Sequence, residues 1–237
     1  MGFAGKKVTV ITNFILVAIV AVVSSVTFMP DKISTASSDG VAAPIYNGNR
    51  AGNAVSLMFN VYENAEIVNS IIDILNSYGA KATFFVGGCW ADDNEQTLKN
   101  IVESGNEIAN HGYFHKDHKN IGYDGNYNEI SKTGIIVQAL CGVKPVLFAP
   151  PSGSFGKDTL IAADKLGYKV IMWSKDTIDW RDNDGEKIFR RATKNVMPGD
   201  FILMHPKKQT LLALSNILEY YSKVGLAVVT VSDNLAQ

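Results

Sequence analysis

The sequence predicts an α/β protein, a distorted (β/α) barrel of about seven parallel strands, preceded by an N-terminal membrane-spanning or signal helix. Three observations predict it. Short apolar runs alternate with amphipathic stretches from Ala54 onward, glycines close those stretches, and polar clusters follow the ends of successive apolar runs. Strands that alternate with helices pair in parallel through right-handed crossovers. Functional groups then collect at the carboxyl ends of the strands, in a barrel and equally in the runner-up, a doubly wound open sheet.

The elements follow in order. Residues 55–59 read as the first strand. Ile67, Ile71, Ile74 and Leu75 lie on one helical face, and Gly79 stops that helix. Residues 82–86 form the next strand, followed by a helix through Leu98, Ile101 and Val102 that ends at Gly105. A short third strand spans 107–109. Ile130, Val137 and Leu140 mark another helix, with Gly142 past its end. The remaining strands are expected at 146–148, 169–173, 201–204 and 227–231, and helices at 158–166, 186–194 and 211–223.

With 237 residues, 46% of them hydrophobic, the chain can bury one substantial core. Its formal net charge of -1 and the lack of a basic block exclude a nucleic-acid footprint. The N-terminus is distinct. Lys6 and Lys7 precede an uncharged span from Val8 to Pro30, long enough as a helix to cross a hydrocarbon core of roughly 30 Å. Residues 1–30 are therefore a signal anchor or a cleaved signal peptide, with Val23 and Ser25 at the -3 and -1 positions in the second case. Either way the domain is exported, and the first case adds the membrane as a partner. Residues 31–52 read as a linker, and 53–237 as the domain. Cys89 and Cys141 could pair once exported or remain as two free thiols.

Three of the chain's four histidines, His111, His115 and His118, fall in one eight-residue stretch after the third strand. Imidazole is a common ligand for zinc-like metals, and four-residue spacing lets His111 and His115 face one point on a helical turn or tight loop. Asn60 follows the first strand, and the 149–153 cluster follows the fourth. Asp176, Asp179 and Trp180 follow the fifth, and His205 the sixth. Polar clusters at five strand exits, holding all four histidines, point to a site rather than to solvated turns.

Taken in order, these clusters resemble the polysaccharide deacetylases that share the NodB homology domain, over residues 54–231. The family's histidine motif matches Gly105-Asn-Glu-Ile-Ala-Asn110-His111-Gly-Tyr-Phe-His115. Its D-x-x-D-W motif matches Asp176-Thr-Ile-Asp179-Trp180, and its closing motif matches Ile202-Leu-Met-His205. The resemblance implies a divalent metal, usually zinc, held by Asp-His-His, here with His111 and His115. It implies an aspartate base, and a distant acid histidine, His205, oriented by Asp176 with Asp179 nearby. Substrate contacts fall to Pro150, Pro151, Ser152, Gly153 and Trp180, although packing is the plainer role for Trp180. The partner is a cell-envelope glycan, peptidoglycan or a related N-acetylated polysaccharide.

Two departures stand against the resemblance. Where the family has its aspartate pair, this chain has Asn60 and Val61, and where it has the arginine that pairs with the base, this chain has Ala149. Asn60 takes no proton at neutral pH and Val61 ligates nothing. Base and arginine have gone together, as expected if an arginine left without its carboxylate would be an uncompensated buried charge. Two imidazoles make a poor zinc site. His118, on the same face as His111 if the segment is helical, is a candidate third ligand, as are Glu63, Asp92 and Asp93. Three readings stay open: a metal-dependent hydrolase of N-acetyl groups, an inactive deacetylase fold that binds envelope glycan, and an unrelated metal-binding β/α barrel.

Overall fold

The structure, a computed structural model, describes residues 40–236. The expected 1–30 helix lies outside the described residues. Among those described, no helix is long and apolar enough to cross a membrane.

Strands β1 (Ala54–Val61), β2 (Thr83–Val86), β3 (Glu107–Asn110), β4 (Leu147–Phe148), β5 (Lys169–Val170), β6 (Lys175–Asp176) and β7 (Phe201–Met204) form one path in the order β5-β4-β3-β2-β1-β7-β6. A further strand, β8 (Ala227–Val228), pairs with β1. Every ladder is parallel. The end strands β5 and β6 do not pair with each other, so the sheet is a curled half-barrel rather than a closed one.

Central β1 is buried along all 8 residues, because both of its faces are covered. Side chains alternate across it. Val55, Leu57, Phe59 and Val61 enter the larger apolar cluster, where α1 (Ala65–Ser77) contributes Val68, Ile71 and Leu75. Met58 enters the inner cluster with Phe85, Ala109, Leu147, Ala149, Ile171 and Phe201. Asn60, two residues beyond Met58, is therefore carried on the inner face at the carboxyl rim.

The remaining helices are α2 (Gly88–Asp93), α3 (Glu95–Glu103), α4 (Gly122–Cys141), α5 (Lys157–Lys165), α6 (Gly185–Thr193), α7 (Lys208–Lys223) and α8 (Val231–Ala236). The sequence missed α2, β6 and α8, which are too short to leave a periodic signal. The expected 169–173 strand shortens to β5, and 227–231 divides between β8 and the start of α8. The linker is also corrected in its second half. Ile45 N–H donates to Val170 O at 2.9 Å, and Arg50 Nη1 meets the buried Asp200 carboxylate at 2.8 Å. Residues 45–50 thus belong to the folded body. Cys89 and Cys141 are free thiols.

Candidate functional site

A cavity of about 690 Å³ opens at the carboxyl ends of the strands. It draws Asn60, Tyr62 and Glu63 from the end of β1, and His111, Phe114 and His115 from the loop after β3. Asp176 and Trp180 come from β6 and beyond, and Leu203, His205 and Lys207 from β7 and the turn after it. The strand-end clusters therefore line one cavity, a candidate site.

His205 is held by an aspartate, but not the expected one. Its Nδ1 lies 2.8 Å from Asp179 Oδ1, and its backbone N–H donates to Asp179 Oδ2 at 2.7 Å. The Thr210 hydroxyl donates to the same oxygen at 2.6 Å. Asp179 is wholly buried and its carboxylate is satisfied on both oxygens. The assignment of Asp176 as the orienting group is corrected: Asp176 lines the cavity, and its Oδ1 accepts the Ile178 N–H at 2.7 Å. A carboxylate accepts only, so Nδ1 of His205 carries the proton and Nε2 is left to give or take one.

His111 is fixed in the same manner by a backbone carbonyl, with Nδ1 donating to Ala149 O at 2.8 Å. Its ring meets His115 edge-on, centroids 5.2 Å apart. Burial, then the neighbouring His115 imidazole, push the His111 pKa down to about 3, and burial also lowers His115. Both rings are neutral donors of a lone pair at neutral pH.

His118 does not join them. Residues 111–118 are not helical, because the chain turns through positive φ at Gly112 (73°) and His115 (53°). His118 is instead buried beneath the loop, its Nδ1 2.7 Å from Asn126 Oδ1 and its ring 5.1 Å from Phe148. A Cβ on Gly112 would lie 2.8 Å from His118 Nε2, so the loop closes over this imidazole only because position 112 is glycine. Sequence reasoning missed what pins the loop. Glu129 on α4 is buried, and its Oε2 accepts the Tyr113 and Phe114 N–H groups at 2.9 and 2.7 Å.

The metal implied by the resemblance does not find a full donor set. Val61 packs into the outer apolar cluster, Ala149 into the inner one, and Asn60 offers a carboxamide. Glu63 reaches the rim but is ion-paired with Lys207, while Asp92 and Asp93 stand away from the cavity wall on α2. Among the described residues, no group of three or more His, Cys, Asp or Glu side chains is arranged to hold a metal ion. Two converging imidazoles remain, one ligand short of a protein zinc site.

Of the four residues 150–153, only Ser152 lines the cavity. Pro150 and Pro151 shape the turn, with Gly153 N–H donating to Pro150 O at 2.9 Å. Gly153 (φ 66°) leaves room for Trp173, whose ring would lie 2.8 Å from a Cβ there. Trp180 is not packed as expected. It is 53% exposed and lines the cavity, as does Phe114, equally exposed, so two exposed aromatic rings contribute to the cavity wall. Tyr62, 5.2 Å from His115, also went unread, since one tyrosine after a strand gives no pattern.

Residues 47–171 match the family model described as polysaccharide deacetylase. The uncharacterized protein YlxY of Bacillus subtilis is 35% identical over 190 residues, 80% of this chain and 60% of that protein. A peptidoglycan-N-acetylglucosamine deacetylase of Bacillus cereus is 32% identical over 151 residues, 64% of this chain and 55% of that enzyme. The chain thus spans little more than half the length of these two relatives. The crystal structure of a CE4 family pseudoenzyme from Bacillus anthracis superposes with a TM-score of 0.79 at 34% identity, covering 81% of this chain and 69% of that one. A mutant of that pseudoenzyme is described as having restored enzymatic activity. Motifs, half-barrel and family model agree: this chain belongs to the polysaccharide deacetylase family.

Proposed function

We propose that the domain binds an N-acetylated cell-wall glycan in the rim cavity and does not turn it over efficiently. The observation that carries this reading is the pair Asn60 and Val61. One sits on the cavity wall without a group that can take a proton from water, and the other is committed to the apolar core. Water activation needs a base with a suitable pKa and a polarising ion, and both positions are neutral here. Peptidoglycan deacetylases among the relatives support an N-acetylated cell-wall glycan as the occupant. The exposed cavity-wall rings of Phe114 and Trp180 supply faces on which sugar rings can pack.

A second reading, residual metal-dependent hydrolysis of N-acetyl groups, is favoured by the intact His205–Asp179 pair. There His205 would protonate the leaving amine, and His111 and His115 would hold a divalent ion, zinc being the expected one, which would polarise the acetyl carbonyl. The deciding experiment combines metal analysis of the purified chain with assays of acetate release from, and binding to, peptidoglycan. Binding without acetate release supports the first reading. Metal-dependent release at enzyme-like rates overturns it.

The proposal extends to location. Lys6, Lys7 and the uncharged span after them support export of the domain, anchored or released. Protease added to intact spheroplasts should then digest an anchored domain, or washing should recover a released one. A domain that is both protected and retained would sink this part of the proposal.

A further inference from the structure

We infer that residues 45–50 form a strap whose seating sets one wall of the cavity, so that strap closure and cavity occupancy are coupled. The wall is the 171–174 segment, which runs between the end strands β5 and β6 and carries Trp173 into the cavity.

The strap crosses the seam between those unpaired end strands. Ile45 forms a parallel bridge to Ile171, and Asn47 an antiparallel bridge to Asp200, just before β7. Ile45 N–H donates to Val170 O at 2.9 Å, and Met172 N–H donates to Ile45 O at 2.8 Å. The residue after Met172 is Trp173, and Ile45 and Trp173 pack against the same inner apolar cluster. Trp173 lies over Gly153, where a Cβ would come within 2.8 Å of its ring, and the adjoining Ser152 lines the cavity. Contact therefore runs from the strap to the rim without a break.

The hold on the strap is light. Gly48 N–H donates to Gly199 O at 2.8 Å, and Asn49 N–H to Asn234 O at 3.0 Å. Arg50 Nη1 meets Asp200 at 2.8 Å, but the arginine side chain is 40% exposed, so water screens the pair. Against these bonds stands a buried cost. The side-chain oxygen of Asn234 has no hydrogen-bond partner and is covered by Gly48, where a Cβ would come within 2.2 Å of it. An unsatisfied buried acceptor is destabilising, and lifting the strap returns it to water. Lifting does not strand Asp200 either. Its carboxylate keeps the Ser174 hydroxyl at 2.8 Å and the Met197 N–H at 2.9 Å, with Lys175 Nζ 4.0 Å away. The strap can thus open while the sheet stays shut. An occupant that packs on Trp173 favours the seated strap, and by linkage the seated strap favours that occupant by the same factor.

The test is native-state hydrogen exchange on the full chain. The amides of Ile45, Gly48, Asn49 and Met172 should exchange as one group, ahead of those of β1. Arg50→Ala should speed that group about tenfold, the scale of one hydrogen bond to a charged group. Trp173→Ala leaves every strap bond in place and should nonetheless speed the group, because its ring is the wall that the strap seats. A saturating N-acetylglucosamine pentamer should slow the group. Gly48→Ala, whose methyl cannot sit against Asn234, should weaken pentamer binding by the same factor. Only this pentamer arm rests on the glycan-binding reading of the cavity. A pentamer that does not bind overturns that reading, and the coupling then stands or falls on Trp173→Ala. Exchange of the four amides only in step with β1, or strap exchange unmoved by Trp173→Ala, overturns the inference. So does a pentamer that binds without slowing the strap and binds Gly48→Ala equally well.

Discussion

Asn60 and Val61 are neighbours in sequence that serve different layers, and the difference decides what restoring the family's residues would do. Asn60→Asp places a carboxylate on the cavity wall, whereas Val61→Asp places one where an apolar cluster now packs. Ala149→Arg likewise inserts a long cation beside the inner cluster, next to the carbonyl that holds His111. Each single change leaves a buried charge without its partner, so each should lower stability by several kcal/mol at most and leave acetate release at background. The triple variant supplies base and counter-charge together and adds a carboxylate at position 61, the last residue of β1. It should raise release far beyond the combined effect of the single changes, with the base alone accounting for about 10² to 10⁴-fold. A triple variant that folds, binds metal and stays silent would refute this account. A second contrast tests which aspartate holds His205. Asp179→Asn loses an acceptor for one of three donors and should cost about 1–3 kcal/mol in denaturant unfolding. Asp176→Asn keeps the acceptor that Ile178 uses and should change stability by under about 0.5 kcal/mol. The motif names both aspartates, and only the geometry of the strand ends separates them.

At the level of elements, the loop between β3 and α4 carries half of the site and owes its shape to a residue that sequence patterns hide. Glu129 looks like one more polar position on a helix, yet it is buried and accepts two backbone N–H groups of the loop. Lys116 Nζ, 3.6 Å from its other oxygen, offsets part of its charge. Glu129→Ala leaves both donors without an acceptor and should destabilise the fold by roughly 2–4 kcal/mol. It should also raise amide exchange across residues 111–118 well before the sheet opens. Unchanged exchange in that loop would show that Glu129 does not hold it. His111 and His115 were legible because histidines are rare and the four-residue spacing is informative. His118 was misplaced because that spacing assumed a helix, and the positive φ at Gly112 and His115 breaks any helical path. The inward direction of Asn60 and the outward direction of Val61 were implicit in the strand's alternation. The depth of the cover over each required the assembled helices.

For the whole molecule, the alternation of apolar runs and helices was enough to give an all-parallel sheet, whose carboxyl rim carries the cavity. What it could not give was closure. That depends on two-residue strands such as β5 and β6, and on residues 45–50 pairing with the sheet from a segment that reads as linker. The assembled fold then sets a pH dependence no segment shows by itself. His111 is fully buried with a pKa lowered from 6.5 to about 3, chiefly by burial, and burial lowers His115 and His118 as well. The unfolded chain therefore takes up protons at these sites before the folded chain does. Their contribution to stability is complete above about pH 6.5 and is lost as pH falls towards the folded values. His111 alone should remove roughly 2 kcal/mol between pH 6.5 and pH 5, at about 1.4 kcal/mol per pH unit. Urea unfolding of the full chain at pH 7 and pH 5, with chelator present, measures the loss. His111→Asn, which can still donate to Ala149 O and does not titrate, should shrink the difference between the two pH values by about that 2 kcal/mol. If the variant and the unaltered chain lose the same stability on acidification, His111 is not held neutral by its burial, and the electrostatic picture of the site fails with it.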